Sequence, residues 1–526
     1  MFDLSTMKTK RLLAIHGWSG TILGLILYVV IVTGTVAVLA NEIGRWSAGG
    51  AITEKGLGSG LNAPIVRFTD EVYPDYLDEI AIYQNSGGYF VAFFHTHAKD
   101  EKGQLADKGE LIEFHPDTHE IISHREGFSA DLFGHDPAGA LDEFIVDLHV
   151  NLHLPHPWGL YATGILGLLM FVASVSGFLI HKHLIKDIFV PPRYSSALLR
   201  KRDRHILAGS WSLPFSFLLA FTGAYFSFAT SLVLPMVAKS AFGGDQMAMF
   251  QTLVGPPPIV DQTVSAPVNL DAIISDSEQR AETPARSVIL SHWGRADATA
   301  LIIHETQLDA VSQPRNLYNL ASGEFQREAY LMGAKSSMSS TIAPFLAALH
   351  FGNFAGLLSK FIWVALGVAM AYVTLTGLHL WLQRRTGSPL WRKFAAATTI
   401  VGYGTNIALA GAALGFFISF TAGSTLFWTP AGFIIAAALS IIAGCMVRGI
   451  EQRRQWLHIG LAAMLLMVPT LRVFVHGGFG QSGIDTIVVM LDFFCVFSAL
   501  WMLISEYIRR RSVRPVMSKP EAFPAE

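Results

Sequence analysis

The 526-residue chain is 51% hydrophobic and only 15% charged, with 36 Phe and 11 Trp, a balance too apolar for a soluble enzyme of this size. Its formal net charge of −2 offers no general attraction for nucleic acid, so the distribution of charge matters more than the sum. The two cysteines, Cys445 and Cys495, sit in apolar runs without a CxxC or CxxCH pattern, which excludes an external disulfide framework and a covalently attached haem.

Lys8, Lys10 and Arg11 precede an apolar run from Leu12 to Ala40. A signal peptide has an apolar core of about 7 to 15 residues, so this longer run reads as a retained first span. Crossing a hydrocarbon core of ~30 Å takes about 20 helical residues. Stretches of that length lie at 12–40, 158–181, 206–231, 361–382, 396–422, 428–447, 456–476 and 484–506, which makes eight spans, all read as uninterrupted helices. With a cytoplasmic N-terminus, 22 of the 38 Lys and Arg fall in short inner segments, and the C-terminus is cytoplasmic as well. That pattern is the one expected of a multi-pass protein of a bacterial inner membrane, with the lipid bilayer as its first partner.

Two long segments, 41–157 and 232–360, are left on the periplasmic side. In the first, strands are expected at Glu79 to Gln84, Tyr89 to His95, Leu111 to Phe114 and, after Pro116-Asp117, Glu120 to His124. The second repeats the theme with Ser287 to His292, Ala300 to His304 and a hairpin of Asn316 to Leu320 and Glu324 to Arg327 around Ala321-Ser322-Gly323. Gly255-Pro256-Pro257-Pro258 reads as a linker.

The chain repeats itself. His16 lies 18 residues before the glycine of Thr33-Gly34, and His205 lies 18 before that of Thr222-Gly223, while Gly20 and Gly209 each follow their histidine by four. Gly167 and Gly177 are ten residues apart, as are Gly367 and Gly377, and ahead of them stand Leu148-His149 and Leu349-His350. Residues 1–190 and 191–390 therefore read as two copies of one unit, followed by a four-span bundle over 391–510 and a cytoplasmic tail over 511–526. Both copies begin on the same side, so a pseudo-twofold axis along the membrane normal relates them and equivalent residues lie at equal depth. His16 then faces His205 near the cytoplasmic surface, and His149 faces His350 near the outer one. Two neutral histidines at one depth on facing helices are what bis-imidazole ligation of a haem requires. A histidine at a helix end beside Lys and Arg is also a common interfacial anchor.

His16-Gly17-Trp18-Ser19-Gly20, Leu148-His149, Arg202-Asp203-Arg204-His205 with Gly209, and Leu349-His350-Phe351-Gly352, together with the basic exits His181-Lys182-His183 and Leu382-Gln383-Arg384-Arg385, resemble the PepSY-associated transmembrane family over about residues 8–390. That resemblance implies an all-α membrane bundle with two small α+β PepSY-like modules outside. It also implies about two b-type haems ligated by His16, His149, His205 and His350, and the activity of a di-haem reductase of iron bound to a siderophore. The acceptor is then a periplasmic ferric siderophore or other ferric chelate, and the donor is cytoplasmic or a quinol. Four further spans after residue 390, and His153, His156 and His379 near the expected ligands, depart from the family pattern.

His149 and His153, four residues apart, would share a helix face and could chelate a metal, although Pro155 interrupts that helix. His153 could equally be structural or touch a haem propionate. His95, His97, His115, His119 and His124 read mostly as loop and turn polarity, with weak capture of external iron as the other reading. In the last bundle, Arg472 and Asp492 are expected to pair inside the membrane. Two rival functions stand beside the redox one: a haem-free PepSY-type sensor or assembly protein, and a transporter, against which the lack of a broken-helix pair argues.

Overall fold

In a computed structural model of the chain, the described residues are all except 1–4, 50–55, 59, 86, 100–104, 134–135, 182–188, 190–196, 246–247, 250–251, 253–259, 306–312, 331–337, 384, 386, 477–485 and 514–526. The Gly255 to Pro258 linker, Lys182, His183, Arg384, Asp485 and most of the basic tail fall outside the described residues. By its packing the chain divides into two units, residues 1–392 with 483–485, and residues 393–482 with 486–526. Among the described residues, seven helices are long and apolar enough to cross a membrane, or eight when one bent pair counts as a single span.

That bent pair corrects the expectation of an uninterrupted first helix. Thr6–Thr21 (α1) and Gly24–Ala37 (α2) meet at 66°. Leu23 between them is left-handed, with φ at 57°. Gly20 and Gly24 flank the break, and glycine- and serine-rich stretches are where a helical ladder yields. The ladder is re-formed on both sides, with Ile22 donating to the Trp18 carbonyl at 2.9 Å and Leu27 to that of Leu23 at 2.8 Å, so the bend strands neither amide in the apolar phase.

The rest of the first unit follows in chain order. Ala40–Ser47 (α3) leads to Asn62–Glu71 (α4), four strands at Glu79–Gln84 (β1), Phe90–Lys99 (β2), Leu105–Phe114 (β3) and Ile121–Phe128 (β4), then Ala140–Asn151 (α5) and the span Trp158–Ile180 (α6). The second half repeats this order with the span Ala197–Phe228 (α7), Leu270–Ala281 (α8), strands Ala285–Ser291 (β5), Thr299–His304 (β6), Arg315–Asn319 (β7) and Phe325–Glu328 (β8), then Met338–Phe351 (α9) and the span Gly356–Gln383 (α10). Helix α7 begins well before the apolar run, because Leu198 to Arg204 is built of strong helix formers that carry it out past the hydrocarbon.

The two four-stranded meanders form one antiparallel sheet in the order β4-β3-β2-β1-β5-β6-β7-β8, joined where β1 pairs with β5 and Ile82 lies opposite Val288. Period-two alternation puts Ile80, Ile82, Phe94, Ile112, Val288, Leu290 and Ile302 on one face. There α4, through Ile65 and Phe68, and α8, through Ile273 and Ile274, complete a single apolar core. Ion pairing also joins the halves: Lys360 at the start of α10 donates to both carboxylate oxygens of Glu42 in α3 at 2.6 and 2.8 Å, both side chains being buried.

In the second unit, Pro389–Ser419 (α11), Thr425–Met446 (α12), Ile450–His476 (α13) and Thr486–Val513 (α14) are the last four spans. Gly411 and Gly415 let α11 approach Gly432 of α12 so closely that a methyl group on any of the three would collide with backbone, the small-residue packing that holds helices together in lipid. The expected ion pair is formed: Arg472 Nε lies 3.0 Å from each oxygen of Asp492, and Nη2 also donates to Oδ2. Removing one partner of such a buried pair costs about 3 to 5 kcal/mol, whereas replacing both with apolar groups is close to neutral. Arg472→Met and Asp492→Leu should each lower the denaturation midpoint in detergent sharply, and the double variant should recover most of the loss.

Candidate functional site

The membrane half of the first unit is built from α1 and α2, α6, α7 and α10. Gly167 of α6 packs on the α7 backbone at Ala220 and Ala224, and Gly367 of α10 packs on Thr35 of α2. The four histidines of the repeat point into this bundle. His16 on α1 and His205 on α7 have ring centres 6.5 Å apart with planes at 67°, and His149 on α5 and His350 on α9 have ring centres 6.4 Å apart at 26°. All four side chains are half-buried. On α7, Thr222, which touches His350, lies 17 residues beyond His205, about 25 Å of helical rise, so the two pairs occupy separate levels.

Each ring is held through Nδ1. His16 Nδ1 lies 2.9 Å from the Ala173 carbonyl, and His205 Nδ1 lies 3.1 Å from that of Val373, the matching position of the other repeat. His149 Nδ1 is 3.0 Å from the Val30 carbonyl, and His350 Nδ1 is 2.8 Å from Thr222 Oγ1. A carbonyl only accepts, so three of the rings carry a proton on Nδ1, which leaves Nε2 as the nitrogen that a metal would meet in the neutral ring. No Nε2 of these four rings has a hydrogen bond among the described residues.

The repeated glycines are the seats of these rings. A Cβ on Gly177 would stand 3.2 Å from His16 Cε1, one on Gly377 3.1 Å from His205 Cε1, one on Gly34 2.5 Å from His149 Cε1, and one on Gly223 3.5 Å from His350 Cε1. Each histidine thus lies against a glycine that the sequence places on a different helix of its own repeat.

Residues 13–384 match the PepSY-associated TM region. The chain belongs to that family. Over 265 residues it is 28% identical to an uncharacterized protein of Pseudomonas aeruginosa, an alignment that takes in 48% of this chain and 65% of the relative. The chain therefore spans a little under two thirds of that relative's length.

Several other described histidines of this PepSY-associated chain are engaged elsewhere. Helix α5 ends at Asn151, and Leu152 and His153 both turn left-handed, so His153 shares no helix face with His149; this corrects the chelating pair. The His153 ring stacks on Phe144 at 4.5 Å, and its Nε2 lies 3.1 Å from the Phe144 carbonyl. His379 lies on α10, one turn beyond Leu375. On the sheet, His95 stacks on Phe93, His97 pairs with Asp107 at 2.7 Å and His124 with Glu110 at 2.7 Å. His304 is buried between Ser277 Oγ at 2.7 Å and the Thr283 carbonyl at 2.9 Å, and burial pushes its pKa down. No group of three or more His, Cys, Asp or Glu able to hold a metal ion occurs among the described residues. Sequence reasoning missed the Nδ1 partners Ala173 and Val373 and the hydroxyls Ser176 and Thr376. Their offset of 200 residues, the same as Gly177 to Gly377, is the signal that could have found them.

Proposed function

We propose that this chain is a di-haem electron carrier of the bacterial inner membrane that delivers electrons to a periplasmic ferric siderophore or other ferric chelate. The single observation that carries the reading is the pair of two-histidine sites at different depths. Two metal–nitrogen bonds of about 2 Å each, with the ring radii added, would put two imidazole centres about 6 Å apart. The 6.5 and 6.4 Å separations suit that arrangement. Among the described residues each level brings two histidines together and no third metal-binding group, which suits a cofactor that brings its own nitrogens rather than a bare ion. His16 and His205 would hold one b-type haem, and His149 and His350 the other, with the bonds at Nδ1 fixing tautomer and ring plane.

When bound, haem supplies one-electron chemistry that the side chains lack. The residues would supply two histidine nitrogens at each level, burial and spacing, and no acid, base or nucleophile is called for. The donor is a cytoplasmic reductant or a quinol. Hard oxygen donors hold Fe(III) better than Fe(II), so reduction loosens a ferric chelate. The basic inner segments favour cytoplasmic termini and a periplasmic sheet. Among the described residues one span is sharply bent and α7 is not, so they do not supply the matched pair of discontinuous helices that a transporter of this symmetry uses.

The test is an absorption spectrum of protein purified after expression with ample haem. Low-spin bands that sharpen with dithionite, and about two acid-acetone-extractable haems per chain, are expected for bis-imidazole b-type sites. A haem content near zero would remove the redox reading and leave the sensor or assembly role, with the eight-stranded sheet as its binding surface.

A further inference from the structure

We propose that Thr222 makes the outer histidine pair the electron-poorer of the two, so that a haem held by His149 and His350 is easier to reduce than one held by His16 and His205. This rests on the haem reading above. The observation is a break in the pseudo-twofold symmetry at Nδ1. His16 has the Ala173 carbonyl at 2.9 Å and Ser176 Oγ at 3.4 Å, and His205 has the Val373 carbonyl and Thr376 Oγ1, both at 3.1 Å. His149 has the Val30 carbonyl, but His350 has a hydroxyl in its place.

The two repeats differ in how they use the same residue. Thr33, the counterpart of Thr222, gives its hydroxyl to the Val29 and Val30 carbonyls at 2.9 and 3.1 Å and leaves the Val30 oxygen to receive His149. Thr222 Oγ1 lies 2.8 Å from the Leu218 carbonyl, to which it gives its only proton, and so it accepts from His350 Nδ1. Hydrogen bonding from the far ring nitrogen raises the basicity of a ligating histidine, and a more basic ligand favours the ferric state. The inner rings have two carbonyls and two hydroxyls between them, and the outer rings one of each. The glycine seats differ as well: a Cβ on Gly34 would meet the His149 ring at 2.5 Å, but one on Gly223 would meet His350 only at 3.5 Å.

The experiment is a potentiometric titration of the purified holoprotein, followed in the visible bands, for wild type, Thr222→Val and Thr222→Ser. Two waves are expected, and His350→Ala should delete the higher. Thr222→Val keeps the shape of this fully buried side chain but removes the acceptor. It should raise the higher wave by the equivalent of roughly tenfold in the ferrous-to-ferric ratio at a fixed potential, leaving the lower wave in place, with Thr222→Ser returning it to the wild-type position. If valine ejects the outer haem, Thr222→Cys, a weak sulfur acceptor, should give a smaller shift of the same sign. Assignment of the higher wave to His16 and His205, or an unmoved outer wave with both haems still low-spin, would overturn this proposal alone. A haem-free preparation would overturn the functional reading with it.

Discussion

Replacing His149 or His350 with alanine should remove one and the same haem, and replacing His16 or His205 should remove the other, so that each of the four single variants retains about half of the low-spin absorbance. The rings of each pair stand within 6.5 Å of each other, whereas the two levels lie far apart along α7, so neither level can borrow a ligand from the other. His16→Ala combined with His205→Ala should look like either single variant, and His16→Ala combined with His149→Ala should be haem-free. Reduction of an external ferric chelate should stop in the outer-pair variants, although the inner site remains reducible. His153→Ala should keep both haems, because that ring is turned onto Phe144. Loss of different haems from His16→Ala and His205→Ala would sink the pairing.

The second large effect is expected at the glycines. Within a helix, Gly→Ala ordinarily stabilises by about 0.5 to 1 kcal/mol, so a glycine that is only a spacer should tolerate the change. Gly34→Ala would instead drive a methyl group to 2.5 Å from a His149 ring already bonded to Val30, and it should lose the outer haem as completely as His149→Ala does. Gly377→Ala and Gly177→Ala meet their rings at 3.1 and 3.2 Å, and should weaken the inner site without abolishing it. Gly223→Ala, at 3.5 Å, and Gly20→Ala, with nothing within 4 Å, should retain both haems. Haem content after purification reads the whole series, and the ranking is the test: equal losses at Gly34 and Gly223 would mean that the glycines act through general packing rather than as seats.

Much of this was legible in the residues. Span lengths follow from runs of apolar side chains, because an uncharged stretch in lipid has little choice but to close its own hydrogen bonds as a helix. Strand β1 begins and ends where its alternation does, at Glu79 and Gln84, and the other seven strands fall within a few residues of the expected runs, β3 starting earliest. The Arg472–Asp492 pair was foreseeable because a lone charge in a span needs an opposite one within reach. Even the likeness of the two halves was countable, as 18 residues from His16 to Gly34 and again from His205 to Gly223.

Other features depend on contacts between residues far apart in the chain. No local pattern in β1 or β5 says that each will take the other as its neighbour, since an edge strand exposes the same backbone groups to any partner; only the docking of the two halves makes one eight-stranded sheet. The bend at Leu23 is likewise invisible to hydropathy, which measures how apolar a run is and not whether its axis is straight. The sequence alone determined which histidines and glycines recur and at what spacing. That Gly34 seats His149, 115 residues away, while Gly177 seats His16, and that Thr222 takes the place of a carbonyl beside His350, was decided only by the tertiary structure, because spacing orders residues along one helix and the contacts between helices are made by packing across the bundle.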